Sequence, residues 1–277
     1  MQLRRRSAAP TGPGLESSTA LALRALRFAH LLLLLVRLWM FARVTTPRLP
    51  STARSRVMQR WAYRVLASLG VEVRALGHVP AADAALLIVA NHVSWLDSYA
   101  LNTVSAARFV AKSEVRGWPL IGVVATRFET IFLKRGCYRA AARVVDTLAA
   151  ALRDARPIGV FPAGTTSAGS SLLRFFPAMF QAAVLSGARV QPVAIRYRGA
   201  DGASTDAADY VGDMSVLDSL RRLLREPRLT AELIFCAPLD PAGRTRRELA
   251  ALAHAAIAAA LGRGGDALGS TPFRRAA

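Results

Sequence analysis

The sequence predicts an α/β domain, a mixed, mostly parallel sheet flanked by helices, behind an N-terminal membrane-associated helix. Three observations predict it. Short apolar runs alternate with helical stretches from about Ser51 onward, the pattern of a sheet covered by helices. One of these runs, Leu86-Leu87-Ile88-Val89-Ala90, contains no polar residue, as a strand buried on both faces requires. Near the start, a leucine run is bracketed by arginines. With 277 residues, 53% of them hydrophobic, the chain can bury a sizeable core.

Residues 1–18 are polar and include Arg4-Arg5-Arg6 with Pro and Gly nearby, which reads as a disordered basic tail. Residues 19–47 read as the membrane-associated helix. The uncharged stretch Phe28–Val36 lies between Arg27 and Arg37 and is short for a hydrocarbon core of about 30 Å. Arginines that snorkel at both ends would lengthen it, with Trp39 at an interface. A half-spanning or interfacial helix is therefore expected. A signal peptide would share the basic start and leucine run, but Arg37, Trp39 and Phe41 follow where small residues should stand. An ordinary core helix is the alternative.

Residues 48–262 form the expected catalytic domain. Val57–Leu69 reads as an amphipathic helix. Strands are expected at Val71–Arg74, Leu86–Ala90, Arg108–Ala111, Thr130–Leu133, Ile158–Phe161, Val190–Tyr197 and Ala231–Phe235. Helices are expected at Leu96–Val104, Arg139–Arg153, Pro177–Ser186, Ser215–Arg225 and Thr245–Leu261. Residues 263–277 are basic with several glycines and read as a second disordered tail.

The formal net charge is +19, carried almost wholly by arginine, since Lys112 and Lys134 are the only lysines. Such a balance predicts a polyanionic partner. No zinc-finger spacing, recognition pattern or basic heptad region is present, so an anionic membrane surface is favoured over nucleic acid. The two cysteines, Cys137 and Cys236, are too isolated for a metal site or disulfide framework. The four histidines, His30, His78, His92 and His254, lack metal-like partners at short spacing. Neither a metal nor a resident cofactor is expected.

The chemistry-bearing stretch is Asn91-His92-Val93-Ser94-Trp95-Leu96-Asp97, directly after the apolar strand. His92 and Asp97 suit a general base and its orienting partner. In a continuous helix, five residues would set the two side chains well over 90° apart. They can meet only if the segment turns first and begins its helix near Ser94 or Trp95. Two further constellations follow strands. Lys134-Arg135 could face a phosphate. Phe161-Pro162-Ala163-Gly164-Thr165-Thr166-Ser167 offers close backbone approach at Gly164 and a run of hydroxyls to an oxygen-rich ligand. It has neither the Walker A spacing nor its lysine.

Four segments in order resemble the glycerolipid acyltransferase family, the 1-acylglycerol-3-phosphate acyltransferases and their relatives. They are Asn91-His92-Val93-Ser94-Trp95-Leu96-Asp97, then Ile131-Phe132-Leu133-Lys134-Arg135, then Phe161–Ser167, then the Pro-containing strand Val190-Gln191-Pro192-Val193-Ala194. The linking stretch Ala111–Gly122 is similar as well. The resemblance covers about Ser51 to Leu261. It implies a glycerolipid acyltransferase-like fold and transfer of a fatty acyl group from acyl-carrier protein or coenzyme A, as co-substrate, to the free hydroxyl of a lysophospholipid. Under it, His92 and Asp97 are catalytic. Asn91, Ser94, Lys134, Arg135, Pro162, Ala163, Gly164, Thr165, Thr166 and Ser167 bind substrate, with backbone N–H groups near Gly164 or Asn91 as oxyanion donors. The default acceptor is 1-acylglycerol-3-phosphate, giving phosphatidic acid. The implied partners are anionic membrane lipids, the lysolipid acceptor and the thioester donor, and the implied place is the cytoplasmic face of a bacterial inner membrane.

The chain departs from the family where Ala163 replaces a Glu and Thr166 replaces a common Arg. Altered acceptor specificity, a weakened or merely lipid-binding homologue, and a deliberate substitution would each account for Ala163. The Gly-Thr-Thr-Ser form resembles a bacterial branch that includes lyso-ornithine-lipid acyltransferases, and Tyr210–Ser215 resembles it too. Lyso-ornithine lipid or another lysolipid is thus the alternative acceptor.

Overall fold

A computed structural model describes residues 13–81, 85–119, 121–133, 138–154 and 156–262. Helix α1 (Pro13–Val44) leads into α2 (Ser51–Ser68) and then a seven-stranded sheet. The strands are β1 (Val71–Gly77), β2 (Leu86–Ala90), β3 (Arg108–Lys112), β4 (Ile131–Leu133), β5 (Ile158–Val160), β6 (Arg189–Arg198) and β7 (Leu229–Phe235), in the order β1-β7-β6-β2-β5-β3-β4. The remaining helices are α3 (Leu96–Val104), α4 (Ile121–Arg127), α5 (Tyr138–Arg153), α6 (Gln181–Ser186), α7 (Val216–Arg225) and α8 (Arg246–Gly262). The run β6-β2-β5-β3-β4 is parallel, while β7 pairs antiparallel with β6 and parallel with β1. The expected mixed, mostly parallel sheet with flanking helices is therefore what the chain forms.

The period-2 alternation of strand side chains divides the core in two. Ile88 and Ala90 of β2 face one side with Val193 and Ile195 of β6, under α2, α3 and α7. Leu87 and Val89 face the other with Val190 and Ala194, under α5, α6 and α8. All of β2 is buried, as its unbroken apolar sequence demands.

Pro192 lies near the start of β6, an interior strand between β7 and β2. The Pro192 carbonyl accepts the Cys236 N–H at 3.0 Å, so its nitrogen faces the β7 side as well. The last β7 residue in the ladder is Phe235, opposite Val193. The donor that proline lacks thus points just past the end of β7, and the β2 ladder loses nothing.

Helix α1 takes in residues 13–18, which the sequence reading gave to the basic tail; residues 1–12 and 263–277 lie outside the described residues. Its segment Ala20–Val44 is long and apolar enough to cross a membrane by length and composition, and only 22% of its most apolar window is buried. That exposure separates it from an ordinary core helix. Leu34 and Leu38 pack on Trp61 of α2, with Val124 of α4 alongside, while Leu33, Val36, Met40 and Val44 stay exposed. Arg27 is a tether: its guanidinium donates to the carbonyls of Glu226 and Pro227 at 3.1 and 3.0 Å, just beyond α7.

Candidate active site

The candidate site lies at the carboxyl ends of the parallel strands, where α/β sheets place ligands. After Ala90 the backbone of β2 turns away from β6. Asn91 continues the ladder with its side chain, accepting the Ile195 N–H at 2.7 Å and donating to the Ile195 carbonyl at 2.8 Å. Its amide stands in for one more peptide unit of β2. Both ends of that amide are committed to the scaffold and the residue is 2% exposed, so Asn91 positions the loop that follows.

The loop turns and α3 begins at Leu96, as expected. That turn brings His92 Nδ1 within 2.7 Å of Asp97 Oδ2. A carboxylate only accepts, so Nδ1 carries the proton, and in the neutral imidazole Nε2 keeps its lone pair. Asp97 Oδ2 also accepts the Val93 and Ser94 N–H groups at 2.7 and 2.9 Å. The Asp97 side chain is fully buried, and the His92 side chain is 21% exposed. A buried, hydrogen-bonded carboxylate behind a half-open imidazole is the geometry of a base and its orienter. Ser94 is fully buried, and its hydroxyl makes no hydrogen bond to any described residue; its contribution is the N–H given to Asp97.

The floor under His92 is aromatic. Phe161, directly after β5, stacks on the imidazole at 3.9 Å between ring centroids and 9° between planes. Phe109 of β3 stacks behind it at 5.8 Å. Phe109 is in register with Gly159 of β5, and a β-carbon on that glycine would lie 2.4 Å from the Phe109 ring. Glycine is therefore required for the Phe109 ring to lie where it supports Phe161.

The Phe161–Ser167 segment meets His92 through its backbone: Ser167 N–H donates to the His92 carbonyl at 2.8 Å. Two of its hydroxyls are occupied within the protein. Thr166 Oγ1 donates to the Tyr210 carbonyl, and Ser167 Oγ donates to the Ser171 carbonyl at 3.0 Å. Gly164 has a left-handed φ of 71°, and its N–H closes a turn onto the Phe161 carbonyl at 2.9 Å. The two sequence-expected oxyanion positions thus include one N–H already engaged. Pro162 is buried, while Gly164 and Thr165 are exposed. Ala163 packs its methyl against the core beneath α5, α6 and α8, so no carboxylate stands where the resemblance places one. Lys134 and Arg135 lie outside the described residues, as does Cys137; β4 ends at Leu133.

Residues the sequence reading missed complete the site. Tyr197 of β6 donates its hydroxyl to Asp97 Oδ1 at 2.7 Å. Tyr210 N–H donates to the Val93 carbonyl at 2.9 Å, and Asp209 accepts the Gly169 N–H at 3.1 Å, so the loop after β6 clamps the His92 and Ser167 segments together. Burial, chiefly, holds the Asp209 carboxyl above its ordinary value. The available signal was periodicity: Val193, Ile195 and Tyr197 share one face of a buried strand, and a buried tyrosine hydroxyl must find a partner.

The acyltransferase family model matches residues 70–196, the span that carries the His92–Asp97 pair, the Phe161–Ser167 turn and most of β6. A lyso-ornithine lipid O-acyltransferase of Pseudomonas aeruginosa is 39% identical over 209 residues, covering 75% of this chain and 79% of that protein. The chain belongs to the acyltransferase family. A 1-acyl-sn-glycerol-3-phosphate acyltransferase of Neisseria meningitidis serogroup B is 32% identical over 190 residues, 69% of this chain and 74% of its relative. Among solved structures, the 1-acyl-sn-glycerophosphate acyltransferase PlsC of Thermotoga maritima superposes with a TM-score of 0.66 over 90% of this chain and 99% of its own, at 20% identity. That likeness shows the shared fold. Among the described residues no three His, Cys, Asp or Glu side chains gather as metal ligands would.

Proposed function

We propose that this acyltransferase is a membrane-bound lysolipid O-acyltransferase with lyso-ornithine lipid as its acceptor and His92 as general base. The observation that carries the chemistry is the 2.7 Å contact between His92 Nδ1 and the buried Asp97 carboxylate, which leaves Nε2 free to act. Nε2 takes the proton of the acceptor hydroxyl as its oxygen attacks the thioester carbonyl. The tetrahedral intermediate collapses, the C–S bond breaks, and the imidazolium returns its proton to the departing thiolate. No covalent enzyme intermediate is required.

Two features favour lyso-ornithine lipid over lysophosphatidate. The lyso-ornithine lipid acyltransferase of P. aeruginosa shares 39% identity with this chain, against 32% for the lysophosphatidate enzyme of N. meningitidis. In addition, Ala163 and Thr166 remove charged groups from the Phe161–Ser167 turn. Lysophosphatidate is the second reading, favoured by the second of these relatives and by Lys134-Arg135, which suit a phosphate. Either thioester donor is acidic and suits the +19 charge. The exposed leucines of α1 and the flanking arginines support docking on an anionic bilayer, with the site on the cytoplasmic face where thioesters are made.

The test is acyl transfer from labelled acyl-coenzyme A and acyl-carrier protein to vesicles holding either lipid. Faster turnover of lyso-ornithine lipid supports the reading. Turnover of lysophosphatidate alone moves the assignment to the second reading, and transfer to neither refutes both.

A further inference from the structure

Both oxygens of the Asp97 carboxylate are held. Oδ2 accepts from His92, Val93 and Ser94, all within the same turn. Oδ1 accepts from Tyr197, which reaches across from β6 at 2.7 Å. The two backbone donors fix one oxygen only, and a carboxylate held by one oxygen can still swing about its Cβ–Cγ bond. The Tyr197 hydroxyl stops that swing. It also supplies a donor to a fully buried charge, which burial would otherwise penalise.

We propose that Tyr197 is a positioning residue for acyl transfer: by pinning Asp97 Oδ1 it holds the His92 imidazole in the orientation and tautomer from which Nε2 can take the acceptor's proton. The proposal rests on the reading of His92 as base. Tyr197 is 3% exposed and its ring packs in the core beneath α2, α3 and α7, so it acts only through Asp97. Burial first, then the charge and hydrogen bond of Asp97, and then Asp209, push its phenol well above the ordinary range; it stays a donor throughout the working pH. The charged groups around the pair are Asp97 from α3, Asp209 from the loop after β6, and Arg222 of α7, which partly offsets Asp209. The β5 side presents the uncharged Phe161.

The test compares the full chain with Tyr197→Phe, Asp97→Asn, their double variant and His92→Ala. Phenylalanine keeps the ring and deletes only the hydroxyl. With whichever of lyso-ornithine lipid and lysophosphatidate is turned over, Tyr197→Phe is expected to lower kcat about tenfold or more, the effect of losing a hydrogen bond to a charged group. KM stays within about twofold, because no substrate contact is lost. In the Asp97→Asn background the same change adds less than about twofold. Nitrogen-15 NMR of the imidazole, which needs no turnover, shows the Nδ1–H tautomer weakened in Tyr197→Phe. Full kcat, an unmoved tautomer, or losses that multiply in the double variant would overturn the proposal. Activity surviving in His92→Ala overturns the base together with Tyr197; a silent His92→Ala beside a fully active Tyr197→Phe overturns Tyr197 alone.

Discussion

Asn91→Ala separates a scaffold role from substrate binding. In the native fold the Asn91 amide satisfies the N–H and carbonyl of Ile195, a residue with no exposed surface, at 2.7 and 2.8 Å. Alanine reaches neither group, and β2 has already turned away, so the backbone offers no replacement. Orphaning one buried donor and one buried acceptor costs about 1–3 kcal/mol each. The second lone pair of the carbonyl softens its share, which leaves a loss of about 2–5 kcal/mol. That is a large part of a typical domain stability of about 5–15 kcal/mol. For a chain of this size it corresponds to a fall of roughly 5–10 °C in melting temperature. Thermal unfolding of the detergent-solubilised protein by intrinsic fluorescence reads this directly, with acceptor KM measured well below the new midpoint. The scaffold account predicts a lower Tm with KM within about twofold. An unchanged Tm with a raised KM would refute it and place the amide on the substrate.

Gly159→Ala puts a methyl 2.4 Å from the Phe109 ring. The ring must move, and Phe161, stacked between Phe109 and His92, moves with it; overpacking of this kind costs about 1–3 kcal/mol. A lowered kcat that Phe109→Leu partly restores in the double variant is expected, and full activity in Gly159→Ala would refute the aromatic floor. Glu232 accepts from Arg196 and Arg198 at 2.6 and 3.2 Å between β6 and β7. Burial pulls its carboxyl upward, but the hydrogen bonds and charges of the two arginines prevail and hold it below its ordinary value. A carboxyl depressed by folding stabilises above its unfolded value, about 4.3, and that contribution is lost as pH falls through the folded value. Glu232→Gln should therefore destabilise by about 1.5–3 kcal/mol near pH 7, with the gap to the parent closing below about pH 4; a gap independent of pH would contradict the assignment.

The sheet was legible because its signal is local. An unbroken apolar run such as Leu86–Ala90 has few structural alternatives; that strand forms with the expected ends, and the other six expected strands form with shifted ends. The short α4 was missed, since Ile121-Gly122-Val123-Val124 gives no clear helical period and carries β-branched residues. The His92–Asp97 pair was legible because five residues of spacing can close only through a turn. What surrounds the pair was not legible, because it depends on register. That Phe109 sits opposite Gly159, that Asn91 extends β2 onto Ile195, and that Tyr197 reaches Asp97 all follow from which strands become neighbours. The internal partner of the Thr166 hydroxyl, the Tyr210 carbonyl, was hidden for the same reason, since it is set by tertiary folding. The exposed apolar face of α1 needed the structure as well, since an amphipathic core helix and a membrane-docked one share a composition.

The most direct measurement is acyl transfer by membranes carrying the parent chain or His92→Ala at matched expression, with lyso-ornithine lipid and lysophosphatidate offered separately. The account predicts transfer by the parent and a loss of at least about a hundredfold in His92→Ala, the scale of general-base catalysis, with unchanged protein level and melting temperature. Transfer by His92→Ala at the parental rate would contradict the account, since the imidazole at the mouth of β2 would then be a structural partner of Asp97 and not the base.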